Sequence, residues 1–355
     1  MPFSPEKSGV AMCSRKKQRT RYQGKIMRST RKFLLSAGRC LLLFLSVVAT
    51  GILSLPSPCL AAPSGLHVVA TTFPIYLLTS AVAQGRPGVR VDLLIPAQAG
   101  CPHDYALTTG DMKKLSAASV IVANGLGMED FMDKALRAMD RHIPLIDSSV
   151  GIQPLAAQED GHDHAHGEGH HHDHGEQCNH SHGAVNPHAF SSPRQAARIV
   201  RHIARSLGEL DPQGAEEYAR AAEAYALRLE AIGHRLAALG AGAANKKVVL
   251  LHDTAAYLFR DAGLHVIAAI QENEHVQPSA ARILELTRRL RQDKPAVIVS
   301  EPQYSDKAVR ALSAETGVPV LQLDPVASGP ADADPGYYEQ VMLKNCEALE
   351  KYFGK

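Results

Sequence analysis

Eight short runs of Val, Ile and Leu, four on each side of a long helical middle, leave this chain few folds to choose from. In the first half they lie at residues 66–72, 89–95, 119–124 and 143–147, and in the second at 248–251, 264–270, 296–300 and 318–323. Nearly continuous apolar runs of this length read as strands buried on both faces, the pattern of parallel sheets covered by helices. Candidate helices fall between them, at 75–84, 108–117, 129–139, 278–292 and 305–316. Each connection is long enough for a right-handed crossover. At 355 residues and 45% hydrophobic, the chain can hold two core-bearing α/β domains.

The middle has another texture. Residues 193–207 read as one helix with Pro193 in its first turn, and Asp211-Pro212 breaks it. Residues 215–239, rich in Ala, Leu, Glu and Arg, read as a helix of about seven turns. Gly240-Ala241-Gly242 ends it. Such a helix is either a stiff rod joining two domains or one more element packed on the core.

Before this middle stands a tract that cannot build a core. Nine of the 18 histidines lie within 162–182, at His162, His164, His166, His170, His171, His172, His174, His180 and His182. Asp163, Glu168, Asp173, Glu176 and Cys178 are interleaved. Neutral imidazole is the commonest protein ligand for zinc-like metals, so the tract reads as a metal-collecting loop rather than a plain linker.

The N-terminus reads as an export signal. Arg28, Arg31, Lys32 and Arg39 precede an uncharged, small-and-apolar stretch at 40–55. Pro56, Pro58 and Cys59-Leu60-Ala61-Ala62 then offer a small-residue cleavage site. Sixteen residues are short for a membrane-spanning helix, and Pro58 stands where a lipoprotein signal wants Gly or Ala. The expected signal peptide is 1–61, with Met27 as a possible start, and the expected location is periplasmic. The first 61 residues hold eleven of the 38 Lys+Arg and one acid, Glu6, so the remainder carries 27 basic against 35 acidic residues. A net charge of −8 with no aromatic-basic interleaving argues against nucleic acid as a partner. Cleavage would leave Cys101, Cys178 and Cys346, an odd number to which no bridge is assigned.

Polar residues collect where the expected strands end, the edge at which open α/β sheets bind ligands. His252 follows the run at 248–251, Glu301 the run at 296–300 and Asp324 the run at 318–323. His103 lies just beyond the run ending at 95, and His188 follows the His-rich tract through Asn186-Pro187. Each alone has an ordinary role, such as capping the next helix. Their convergence beside a His-rich tract points to metal.

These segments resemble the zinc and manganese substrate-binding proteins of ABC transporters. Cys101-Pro102-His103-Asp104-Tyr105, with 117–127 and Glu129, is similar to the first metal motif of that family. Asn186-Pro187-His188-Ala189-Phe190 with Pro193 is similar to the second, and Leu251-His252-Asp253 with Tyr257 and Gly263 to the third. Glu301-Pro302-Gln303-Tyr304-Ser305 followed by Leu323-Asp324-Pro325 is similar to the last. The motifs run in family order over about residues 66–327. The resemblance implies an α/β protein of two lobes, 62–208 (including a His-rich loop at 159–183) and 246–355, each with a mostly parallel sheet flanked by helices. A long rigid linking helix at 211–240 would join them. It implies one metal in the cleft, held by His103 and His188 from the first lobe and His252 and Asp324 from the second.

Three imidazoles with one oxygen suit four-coordinate Zn2+, whereas manganese members tend to carry a carboxylate at the position of His252. The implied function is a monomeric zinc receptor that hands Zn2+ to an inner-membrane ABC permease. Three departures bear on the site: Pro102 where some zinc members place an acid, Phe190 where Trp is more usual, and Cys101 as a rival fourth ligand to Asp324. Glu301 is either an acceptor for a ligand imidazole or a helix cap. A manganese receptor, a zinc hydrolase and a passive zinc store or adhesin are the competing readings. Against the hydrolase, no His-Glu-x-x-His occurs, and the only carboxylates beside the proposed ligands are Asp104 and Asp253.

Overall fold

A computed structural model describes residues 65–100, 102, 105–139, 141–157, 185–271 and 277–354. The expected signal peptide, the His-rich loop, His103, Cys101, Asp104, Cys178 and His275 lie outside them.

All eight expected strands form, seven of them slightly shorter than the apolar run and β7 equal in length but starting one residue earlier. The first four are β1 (His67–Ala70), β2 (Arg90–Leu93), β3 (Val120–Ala123) and β4 (Leu145–Asp147). They pair in parallel in the order β2-β1-β3-β4. A two-residue antiparallel pair follows, β5 (Leu155–Ala156) with β6 (Val185–Asn186), on either side of the His-rich tract. The second sheet contains β7 (Lys247–Leu250), β8 (His265–Ala269), β9 (Val297–Ser300) and β10 (Val320–Gln322). Its order, β8-β7-β9-β10, repeats that of the first sheet, again all parallel. Each half is therefore the same doubly wound unit. In each, strand order reverses between the two central strands, where the ends open a crevice for ligands.

The helices are α1 (Phe73–Ala83), α2 (Thr109–Ala117), the short α3 (Asp133–Arg137), α4 (Pro193–Leu210), α5 (Ala215–Gly242), the short α6 (Ala256–Asp261), α7 (Ala280–Asp293), α8 (Lys307–Thr316) and α9 (Tyr337–Phe353). Local chemistry sets their ends. Thr108 and Asp111 form a reciprocal capping box on α2. Ser192 caps α4 and Pro193 opens it. The single helix expected at 129–139 is instead a 3-10 turn at Asp130–Met132 running into α3. Two helices, α6 and α9, were not anticipated.

Side chains alternate along the strands between two cores. Val68, Ala70, Val120, Val122, Val248, Leu250, Val297 and Val299 face one continuous core that also takes in α1, α4, α5 and α9. Val69 and Ile121 face a second core with Leu115 of α2, and Val249 and Ile298 a third with α7 and α8. Helices thus cover both faces of both sheets.

The connecting helix α5 is not a free-standing rod. Tyr218, Ala222, Tyr225, Ala226, Leu229, Ile232 and Leu236 are buried along it, packing in the central core. Near its end Gly240 lies so close to the carbonyl oxygen of Ala262 that no Cβ fits. Burying one full face over its length explains how a helix with charged residues throughout holds the halves together. Exposed pairs from α5 to α9, Arg228–Glu339 and Arg235–Glu350, both 2.9 Å, add little to this. Among the described residues no helix is long and apolar enough to cross a membrane.

Candidate metal centre

His252 is placed by the ends of three neighbouring parallel strands. It sits two residues past β7; Glu301 is one past β9 and Gln271 two past β8. The ladder continues beyond the strands, with Leu251 N–H donating to Val299 O and Gln271 N–H to Leu251 O, both 2.9 Å. Those bonds bring the three side chains to one level, His252 in the middle. Its Nδ1 lies 3.0 Å from Glu301 Oε1 and its Nε2 2.7 Å from Gln271 Oε1. All three are buried, at 3% (His252), 2% (Glu301) and 3% (Gln271) exposure, and Tyr304 packs edge-on against the ring at 4.7 Å. A carboxylate can only accept, so Nδ1 donates to Glu301 and Nε2 is the nitrogen that could hold a metal. A second oxygen acceptor on the far nitrogen is the usual support of a metal-binding histidine. Because α8 begins at Lys307 with Asp306 at its cap position, Glu301 is not the helix cap; it accepts from the His252 ring.

His188, 5% exposed, is fixed in the same way by its own loop. Asn186 Oδ1 accepts from the His188 backbone N–H at 2.8 Å and from its Nδ1 at 2.9 Å, an Asx turn closed by the ring. Asp253 Oδ1 stands 3.6 Å from the same nitrogen. The Nε2 of His188 is again the nitrogen that could hold a metal.

The second half grips the loop that carries His188. The Tyr257 hydroxyl donates to Asn186 O at 2.7 Å and accepts from Leu155 N–H at 3.0 Å, so one side chain ties together β5 and β6. Asn186 Nδ2 donates to Asp253 O at 3.0 Å. The residue after His252 and the residue two before His188 are thereby bonded, and the two imidazole loops abut.

From the first half, the loop is held by a buried carboxylate. Glu129 accepts from Thr71 Oγ1 (2.6 Å), Asn124 N–H (2.7 Å) and Gly125 N–H (3.0 Å), joining the ends of β1 and β3. Gly125 has φ +82° and its missing Cβ would overlap Asp147, so only glycine fits. Asn124 Nδ2 then donates to Pro187 O at 2.9 Å, next to His188. Burial overrides these three donors and pushes the Glu129 carboxyl up to about 7, with Asp147 adding to the shift.

Asp324, two residues past β10, is half-buried. Its Oδ1 accepts from Val326 N–H at 2.8 Å and Gln303 Nε2 at 2.7 Å, and Asn345 braces its backbone. Burial raises its carboxyl above the usual range, against the pull of those two donors. Of the four expected ligands, the structure sets His188 and His252 on adjoining loops and Asp324 on the same sheet edge as His252. Among the described residues no three His, Cys, Asp or Glu side chains close into a metal-binding group. His103 lies outside those residues. His67, expected to be ordinary, bonds to Asp92 at 2.8 Å and Ala117 O at 3.0 Å on the opposite strand ends.

Gln271, Tyr257 and the Asn186 carboxamide were given no role from sequence. The strand-end reasoning that found His252 would have found Gln271, which directly follows the apolar run at 264–270. A neutral amide simply carries no chemical signal of its own.

The family of the zinc-uptake complex component A, periplasmic, matches residues 68–352. The zinc-binding lipoprotein AdcA of Streptococcus pneumoniae is 32% identical over 295 residues, covering 82% of this chain and 56% of that protein. This chain thus spans only about half the length of that relative. The high-affinity zinc uptake system protein ZnuA of Bacillus subtilis is 29% identical over 311 residues, 86% of this chain and 93% of that one. The solved FpvC of Pseudomonas aeruginosa, in complex with Mn2+, superposes with a TM-score of 0.68 at 29% identity over 81% of this chain and 98% of that one. With the match running from β1 to the last turn of α9, through both strand-end clusters, the chain belongs to the zinc-uptake component A family of periplasmic solute-binding receptors.

Proposed function

We propose that this protein is a zinc receptor, not an enzyme. It takes up one Zn2+ between its lobes through His103, Nε2 of His188, Nε2 of His252 and a carboxylate oxygen of Asp324. The lobes are 62–208 and 246–355, bridged by the segment 211–240, most of which lies in α5. The observation that carries this reading is the shared support of two buried histidines. Each has Nδ1 on an oxygen acceptor, Glu301 for His252 and Asn186 for His188, which turns Nε2 toward a cation. Three imidazoles and one oxygen fill a tetrahedral shell, so no position is left for the water or substrate that a catalytic zinc keeps. The related AdcA and ZnuA proteins are named for zinc binding and zinc uptake, which supports zinc as cargo and an ABC permease as recipient.

The receptor works as a monomer in the periplasm, after cleavage of a signal peptide at about residue 61. The net charge of −8 in the rest of the chain suits attraction of cations rather than nucleic acid. Manganese is the nearest rival cargo, because FpvC was solved with Mn2+. Calorimetry with Zn2+ and Mn2+ on the wild type, His188→Ala and His252→Ala tests both points. The expected result is one tight Zn2+, weak Mn2+ and a severe loss of zinc affinity in each variant. Tighter Mn2+ than Zn2+, or variants that bind as the wild type does, would refute the assignment.

A further inference from the structure

We infer that Gln271 is a positioning residue that holds His252 by its metal-facing nitrogen and must leave it before zinc can bind. This inference rests on His252 being a ligand. Glu301 engages Nδ1, so the proton sits there and Nε2 presents its lone pair. Gln271 Oε1 lies 2.7 Å from Nε2; an amide oxygen only accepts, so this contact is a hydrogen bond when the amide is turned to present its NH2 or when Nε2 also carries a proton. Hydrogen bonds and metal bonds to imidazole share the same direction in the ring plane. A zinc ion at its usual distance of about 2.0–2.1 Å would lie within about 0.7 Å of the Gln271 oxygen, so the two cannot coexist. An amide turned over about its last torsion donates its NH2 to the lone pair instead; the group excludes the metal equally in either orientation.

Two features make the amide displaceable. Its backbone is anchored, Gln271 N–H donating to Leu251 O at 2.9 Å, so only the side chain has to swing. Its amide nitrogen is buried with no hydrogen-bond partner among the described residues, so departure breaks a single contact. While in place, the amide keeps the ring squared between β8 and β9, ready for a cation. Tyr304 packs against the ring face and remains when Gln271 leaves. Gln271 thus trades affinity and capture rate for a ligand kept in register.

The test compares the full chain with Gln271→Ala and Gln271→Asn, whose amide is one methylene too short to hold the contact. Zinc affinity is measured by competition with a fluorescent chelator, and association by stopped flow, with thermal unfolding of the metal-stripped proteins as a check on folding. Removing one net hydrogen bond from the unliganded side should tighten zinc binding by roughly 3- to 10-fold, mostly through faster association. In a His252→Ala background the same substitution should change neither quantity, which a general packing effect would not obey. Weaker binding in Gln271→Ala would overturn the inference and make the amide oxygen a ligand. Unchanged affinity and rate in folded variants would overturn it too. If His252→Ala alone bound zinc as the wild type does, the fault would lie in the ligand assignment rather than in Gln271.

Discussion

Replacing Glu129 with Gln should change how stability depends on pH, because this carboxyl titrates near 7 in the folded protein and near 4.5 when unfolded. Between those values the folded chain binds its proton more tightly than the unfolded chain does. Stability from this group is therefore full below about pH 4.5, falls as pH rises, and is lost by the time pH has passed through 7. A gap of about 2.5 pH units is worth about 3 kcal/mol. The Gln variant cannot titrate, but its NH2 or its single oxygen must face two sets of donors. The Thr71 hydroxyl and Asn124 N–H crowd one side and Gly125 N–H the other. Relative to the protonated carboxyl, one donor–donor conflict costs the variant about 1–3 kcal/mol, an amount that does not change with pH. The variant should be clearly less stable than the wild type at pH 5 and close to it at pH 8. Urea unfolding of metal-stripped protein, followed by circular dichroism from pH 4.5 to 8, measures both. Other titrating groups, Asp324 among them, cancel in the difference between the two proteins. A difference that stays constant across this range would show that Glu129 is not the buried, proton-holding group described here.

Three further outcomes follow from the same contacts. Glu301→Ala should weaken zinc binding by about 10- to 100-fold, while Glu301→Gln, which still offers an oxygen to Nδ1, should lose less; equal losses in a competition titration would contradict the acceptor role. Tyr257→Phe should lower stability by about 1–3 kcal/mol in denaturant unfolding, since Leu155 N–H and Asn186 O both lose a partner. A change under about 0.5 kcal/mol would mean the hydroxyl does not tie the two strands. Deleting residues 159–183 should leave one tight zinc in calorimetry and remove weaker equivalents, because the proposed tight site draws no ligand from that tract. Loss of the tight site would make the tract itself the receptor.

The strands were legible because a doubly buried strand must be apolar throughout, and runs such as Val297–Ser300 allow little else. His252 and Glu301 followed from them, since a strand end fixes what comes next. Helix α9 was legible in principle: Tyr338, Val341, Met342, Asn345, Cys346 and Leu349 are buried at helical spacing. The β5–β6 pair was not legible, because two residues per strand show no period and their partners lie on opposite sides of the His-rich tract. Nor could sequence decide whether the helix after Asp211-Pro212 was a rod or a packed element; its buried tyrosines, Tyr218 and Tyr225, find their partners only once α1, α4 and α9 surround it. Glu129 entered as part of a motif, but its work, bonding two strand ends and through Asn124 the loop of His188, needs three dimensions.

The central claim is that one zinc is held at the strand ends and not in the His-rich tract. Anomalous diffraction at the zinc edge from protein loaded with one equivalent tests it directly. The account predicts a single strong peak about 2.0–2.1 Å from a ring nitrogen of His103 and from Nε2 of His188 and His252, beside an oxygen of Asp324, with Gln271 turned away. A peak ligated by histidines of residues 162–182, or one that leaves His252 on Gln271, would contradict it.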